Sequence, residues 1–176
     1  MNSVLKKILP VLLLIWPYLC VGPLFFDTGN NVLNSILAWT YISLTVVIYV
    51  LNILNACLYK GEDAYYKLAF WNMVIKLVHI PFYLAVFLVG VMMLLASVVP
   101  ALIFVTPIIV ILLFIMDLFM MIASSVYGVN ALIRAGKRGV VSKQYALING
   151  ILHFFFVADV ISSICTFVKI RKCMKK

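Results

Sequence analysis

From Leu77 to Met116 the chain contains no Asp, Glu, Lys or Arg, only apolar residues broken by His79, Pro81, Tyr83, Gly90, Ser97, Pro100, Thr106 and Pro107. About 20 apolar residues cross the hydrocarbon of a bilayer as a helix. A run this long, turned once at Pro100, therefore reads as two membrane spans joined by a tight connection. The whole sequence agrees: of 176 residues, 66% are hydrophobic and 11% charged, and the mean hydropathy is +1.21. A soluble domain is about 45 to 50% apolar and about 25% charged. The expected fold is all-α, a polytopic transmembrane bundle forming a single integral membrane domain over residues 1–176.

Polar interruptions divide the chain into five apolar segments. The first, Ile8 to Phe26, carries Pro10, Pro17 and Pro23 and is expected to be kinked or partly unwound. It follows Lys6 and Lys7 as a secretory signal would, but no A-x-A-like site closes it and Leu19 precedes Cys20, so it reads as an uncleaved span. Asp27 to Asn31 forms a polar turn. The second segment runs from Val32 to Leu58 and ends at the loop Lys60 to Asp63. The third, Ala64 to Val99, begins with an aromatic stretch in which Tyr65, Tyr66 and Trp71 suit the membrane interface. The fourth runs from Ala101 to Ile133, and a basic loop, Arg134 to Lys143, follows. The fifth is Gln144 to Val168, before the basic tail Lys169 to Lys176.

Fourteen basic residues stand against five acidic ones, and their positions give an orientation. All but Lys76 fall at the N-terminus, after segment two, after segment four and in the tail, while the connections after segments one and three have none. The positive-inside rule then places the N-terminus in the cytoplasm. Five full crossings would export the basic tail. A fifth crossing is nevertheless the preferred expectation, because hydrophobicity outweighs trailing charge; the alternative is a segment that enters and returns, which keeps the tail inside.

The stretches Asn72 to Gly90 (NMVIKLVHIPFYLAVFLVG) and Tyr127 to Ile164 (YGVNALIRAGKRGVVSKQYALINGILHFFFVADVISSI) resemble those of uncharacterised small multi-pass membrane proteins of bacteria. The resemblance implies a bacterial cytoplasmic (inner) membrane and no particular activity.

Ionisable groups inside apolar spans cost about 2.5 to 3.5 kcal/mol on insertion scales, so each is a functional candidate. Asn72, Lys76, His79 and Tyr83 recur at helical spacing on one face of segment three. Asp117 lies as far beyond Pro100 as Tyr83 lies before it, about 25 Å at 1.5 Å per residue, so a pairing of Asp117 with Tyr83 or His79 is expected. In segment five, Asn149 and His153 share one face, while Asp159, Ser163 and Thr166 share another. Tyr41, Thr45, Asn52, Asn55 and Tyr59 make a stripe on segment two that reads as interhelical hydrogen-bonding glue. Arg134, Lys137, Arg138 and Lys143, with no acid among them and with Gly136 and Gly139 between, are expected to contact anionic headgroups.

Residue supply excludes most chemistry. Five acids, two of them adjacent in one loop, are too few to hold the ions of metal-dependent phosphoryl transfer. There is no H-E-x-x-H, G-x-S-x-G or Walker loop. Cys20, Cys57, Cys165 and Cys173 form no C-x-x-C pair, so neither a metal site nor a thiol oxidoreductase is expected; the first three read as buried small hydrophobes and Cys173 as a tail thiol. No cofactor is expected, and no soluble basic face is available for nucleic acid. The leading expectation is a non-enzymatic membrane protein that binds or passes a small solute or ion through its intramembrane polar residues. The alternative is an accessory or immunity-type protein in which those residues are structural, and an intramembrane enzyme using His79 or His153 is the residual case. Expected partners are the lipid bilayer with its anionic headgroups and, since so small a chain cannot enclose a path alone, further copies of itself or a larger membrane complex.

Overall fold

The computed structural model describes residues 5–20 and 29–174, and its described elements are all helical: α1 (Leu5–Cys20), α2 (Asn31–Leu58), α3 (Ala64–Ala96), α4 (Val105–Lys137), α5 (Lys143–Leu152) and α6 (Phe156–Met174). Three of them, α2, α3 and α4, are long and apolar enough to cross a membrane. Five spans were expected, and the two shortfalls have separate causes. α1 is 16 residues long and continues as helix through Pro10 and Pro17; the rest of segment one, including Pro23, and the first residues of the polar turn, Asp27 and Thr28, lie outside the described residues. Segment five is not one helix. It breaks at His153–Phe155 into a ten-residue piece and a 19-residue piece of lower hydrophobicity.

Helix ends follow local chemistry. The Asn30 side chain accepts from the backbone N–H groups of Val32 and Leu33, at 3.0 and 3.4 Å, and so starts α2. Between α3 and α4 the N–H groups of Ser97, Val98, Val99 and Leu102 stay hydrogen-bonded in successive turns, which reduces the number of bare polar groups that this apolar connection would present to lipid. The basic loop is shorter than expected, because Arg134 and Lys137 belong to the last turn of α4 and Lys143 to the first of α5. α4 stops where Gly139 takes φ +71°. There Val140 N–H donates to Ala135 O at 2.9 Å and Gly139 N–H to Gly136 O at 3.2 Å, the paired bonds of a Schellman cap. Ser142 then caps α5 by accepting from Tyr145 N–H.

α5 and α6 fold back on one another as an antiparallel hairpin. Lys169 lies 3.5 Å from the centre of the Tyr145 ring, Ser162 donates to Asn149 Oδ1 at 2.9 Å, and His153 meets Asp159 beside the turn. The end of α6 therefore returns to where α5 began, and Cys173 Sγ donates to Val140 O at 3.5 Å. The preferred fifth crossing needed one continuous helix, and the segment instead folds back on itself. Lys6 reaches Lys60 O, Arg134 reaches Cys57 O and Arg138 reaches Glu62 O. One pole of the bundle gathers the N-terminal end of α1, the α2–α3 and α4–α5 turns, and the C-terminal end of α6.

Packing is concentrated toward this basic pole. Leu13, Ile48, Leu68, Ile75, Met120 and Ile170 are buried there, and Ser124, Gly128, Ala131 and Ala135 put small residues at helical spacing along α4, so that α3 approaches closely. At the other pole the spans present side chains to lipid, with Val98 83% and Phe104 82% exposed. Cys57 and Cys165 are also exposed, not buried as expected, because each falls on the outer face of its helix beside a buried neighbour, Ala56 and Thr166.

Candidate functional site

The hairpin carries its polar residues inward. α5 is ten residues long, or about 15 Å, and Lys76 lies about 18 Å along α3 from Ala64, so the hairpin tip reaches the level of Lys76. There the Lys76 ammonium forms an ion pair with Asp159 Oδ2, donates to Ser125 Oγ at 2.9 Å and points at Met121 O at 3.4 Å. Its three protons are thereby all directed at acceptors. His153 Nδ1 lies 2.7 Å from Asp159 Oδ1. A carboxylate only accepts, so Nδ1 carries the imidazole proton, and Nε2 is left as an acceptor when the ring is neutral. Ser125 Oγ donates to His153 O at 2.9 Å, which ties the hairpin turn to α4.

These groups are sealed: Lys76 and His153 have no exposed surface, Ser125 has 1% and Asp159 has 2%. Isolated charges so buried would be prohibitive, and pairing with full hydrogen bonding is what makes them tolerable. Asp159 also lies in the first turn of α6, where the unpaired N–H groups of the helix favour a negative charge.

The site has one unsatisfied edge. His153 Nε2 and both polar atoms of Asn72 are buried without hydrogen-bond partners. They face the same glycine: a Cβ on Gly128 would lie 2.5 Å from His153 Nε2 and 2.7 Å from Asn72 Nδ2. A potential donor and a potential acceptor thus abut one small residue of α4 without meeting.

A family model covers residues 4–172, nearly the whole sequence. The chain belongs to a family of unknown function (DUF6652). It matches no curated protein and no solved structure.

In this DUF6652 chain the expected polar residues separate into distinct places. Lys76, His153 and Asp159 come together, with Asn72 at their edge. His79 does not join them: its Nε2 lies 3.2 Å from Leu13 O, and Tyr83 packs edge-on against its ring at 6.0 Å. The expected bond from Asp117 to Tyr83 or His79 is not formed. Asp117 is half-buried, with Oδ1 lacking a hydrogen-bond partner, although its carboxylate lies near enough to Tyr83 to act on it electrostatically; equal counting from Pro100, which stands at the middle of the turn between Ala96 and Val105, brings the two residues near each other without fixing the side-chain contact. Segment-two residues act as interhelical contacts. Tyr127 Oη donates to Asn52 Oδ1 at 2.8 Å and accepts from Asn55 Nδ2 at 3.0 Å, and Thr45 Oγ1 accepts from Trp16 Nε1 at 2.9 Å. Asn149 and Asp159 were expected on faces well apart, an angle that assumed one continuous helix; the hairpin turns both inward. Ser125 and Ser162 were not among the sequence candidates. The only sequence signal for them was their place beside Gly128 and Asp159, respectively, within helical reach.

Proposed function

We propose that this protein is a non-enzymatic multi-pass membrane protein that binds or passes a small solute or ion at the Lys76–Asp159–His153 centre. Its setting is a bacterial cytoplasmic membrane, with the basic pole inside. The observation that carries the reading is the contact of three ionisable side chains, closed off from solvent, at the tip of a hairpin that enters the bundle and returns. Such chains of acid, imidazole and amine inside apolar helices serve proton and ion paths in pumps and transporters, and broken helices that supply them to a packed interior are a transporter feature. All three groups exchange protons, so the proton is the first ion to test.

Purified protein is placed in liposomes with an entrapped pH-sensitive dye, and proton movement is driven by a potassium diffusion potential. The expected result is a flux above protein-free liposomes that falls at least tenfold in Asp159→Asn and in Lys76→Met, with both variants folded. Equal flux in native protein and Asp159→Asn would overturn the proton reading. The complete burial of the centre favours a second reading, an accessory or immunity-type protein in which the same groups only dock the hairpin; there, loss of the ionisable groups leaves function intact whenever folding is preserved.

A further inference from the structure

α4 and α5 diverge from their turn at residues 138–142 and leave between them a groove of about 450 Å³, within the size range of small-molecule sites. Its wall is apolar, formed by Val129, Leu132, Ile133, Ala146, Leu147 and Phe154, and Lys137 and Lys143 flank its mouth. The four basic residues of this region are not equivalent. Arg134 is held by Cys57 O at 2.9 Å, and Arg138 by Glu62 O at 2.5 Å and by the Tyr65 ring 5.5 Å away. Both arginines are thus engaged with the α2–α3 side of the bundle. Lys137 and Lys143 are exposed and make no hydrogen bond or ion pair with the described residues, and no acid lines the groove.

We infer that this groove is a binding site for an anionic glycerophospholipid, with the phosphate between Lys137 and Lys143 and one acyl chain along the α4–α5 wall. The dimensions match: from Lys143 to Phe154 the groove descends about 16 Å along α5, and one leaflet is about half of the ~30 Å hydrocarbon thickness. The charge pattern matches as well, with two free cations at headgroup level and apolar side chains below them. Gly150 lines the groove, and a Cβ there would meet nothing within 4 Å, so the space beside it is open to a chain.

The test is lipid retention by the full-length protein in mild detergent, read by native mass spectrometry, with phosphatidylglycerol and phosphatidylcholine of the same acyl chains and with glycerol phosphate as the headgroup alone. Phosphatidylglycerol is expected to be retained in preference to phosphatidylcholine. Lys137→Gln/Lys143→Gln should weaken its retention by roughly 30-fold, from two headgroup charges. A control with the same charge loss, Lys67→Gln/Lys172→Gln, should change it by less than threefold. Gly150→Leu, which fills the groove without removing charge, should weaken both lipids by about tenfold, and glycerol phosphate should not displace bound lipid. Equal retention of the two lipids, equal loss in the control pair, an unaffected Gly150→Leu protein, or displacement by glycerol phosphate would each overturn the proposal. The first would leave an apolar groove indifferent to headgroup charge, the second diffuse attraction to the basic pole, and the last two a headgroup contact without a chain site.

Discussion

The Lys76–Asp159 ion pair can be dissected by a double-substitution cycle. Lys76→Met keeps most of the side-chain volume but leaves the Asp159 carboxylate sealed with only His153 Nδ1 as donor. Asp159→Leu strands the ammonium with only Ser125 Oγ and Met121 O. Removing one member of a buried pair typically costs 3 to 5 kcal/mol, because an uncompensated charge remains, whereas replacing both members by apolar groups is often neutral or stabilising. In the double variant the remaining loss is the acceptor for His153 Nδ1, about 1 to 3 kcal/mol for a buried donor left unpaired. Each single variant should therefore melt lower by on the order of 10 °C, taking about 2 to 4 °C per kcal/mol for a chain of this size, and Lys76→Met/Asp159→Leu should recover most of that loss. Thermal unfolding of purified protein in one detergent, followed by tryptophan fluorescence and by aggregation, measures all four corners. Additive effects, with the double variant as unstable as the two singles together, would refute the reasoning, because they would mean that the side chains do not depend on one another. The same variant serves the functional question. A folded Lys76→Met/Asp159→Leu protein with no flux supports an ion path, and one with unchanged function supports docking alone.

Gly128→Ala should lower stability by about 1 to 3 kcal/mol, the usual cost of overpacking, since the new methyl would sit 2.5 Å from His153 Nε2; the His153 ring must turn, so its imidazole resonances by NMR should shift, and an unperturbed ring would contradict the close approach. Tyr127→Phe removes the hydroxyl that joins Asn52 to Asn55 and should cost about 1 to 3 kcal/mol in detergent unfolding, with no loss meaning that this contact does not hold α2 to α4. Asp117→Leu should be neutral or stabilising, because Asp117 Oδ1 has no partner to lose; a lower melting temperature would show that the carboxylate is paired. Lys60→Cys and Lys172→Cys, each in a background without the other cysteines, should react with an impermeant maleimide from the same side of the membrane, and labelling from opposite sides would exclude the hairpin.

The spans were legible because lipid imposes a simple rule: apolar length ends where charge begins. Val32 to Leu58 was read for an α2 of Asn31–Leu58, and the start of α3 at Ala64 follows directly from the KGED loop. The hairpin was harder to read. Gln144 to Val168 has the length of a span, and the break at His153–Phe155 contains no proline or glycine. What ends α5 there is tertiary: His153 and Asp159 are drawn to Lys76 and Ser125 across the bundle, and one straight helix cannot bring both to that point. The distribution of basic residues did register this, because a returning segment keeps the tail with the other positive ends. The site residues were legible one at a time, as costly polar groups in apolar segments. Their grouping was not, since counting from Pro100 relates only the two helices that meet there and says nothing of a third element inserted beside them.

The hairpin is also the element through which the site would open. Its outer face, with Ile148, Ile151, Phe154, Val157 and Ile161 exposed, gains nothing from the bundle that lipid does not also offer, since hydrocarbon tails are as apolar as these side chains. Its inner face is held by Asp159 on Lys76, by the Ser125 bond to His153 O, and by aromatic contacts of Phe167 with Tyr66 and Phe70, 5.5 and 5.8 Å between ring centres. Toward the basic pole the attachment is aromatic and would persist if the tip detached. At the tip it is polar, and the ion pair exists only while Lys76 is protonated and Asp159 is not. Transfer of the Lys76 proton to Asp159 would remove both charges at once and leave a neutral hydrogen bond, weakening the attraction that places the turn at residues 153–155 against α3 and α4 while the Ser125 bond to His153 O remains. On the proposed reading, the groups that would carry a proton are also those that hold the tip of the hairpin in place, so proton occupancy and access to the centre would be coupled by the geometry of a single contact.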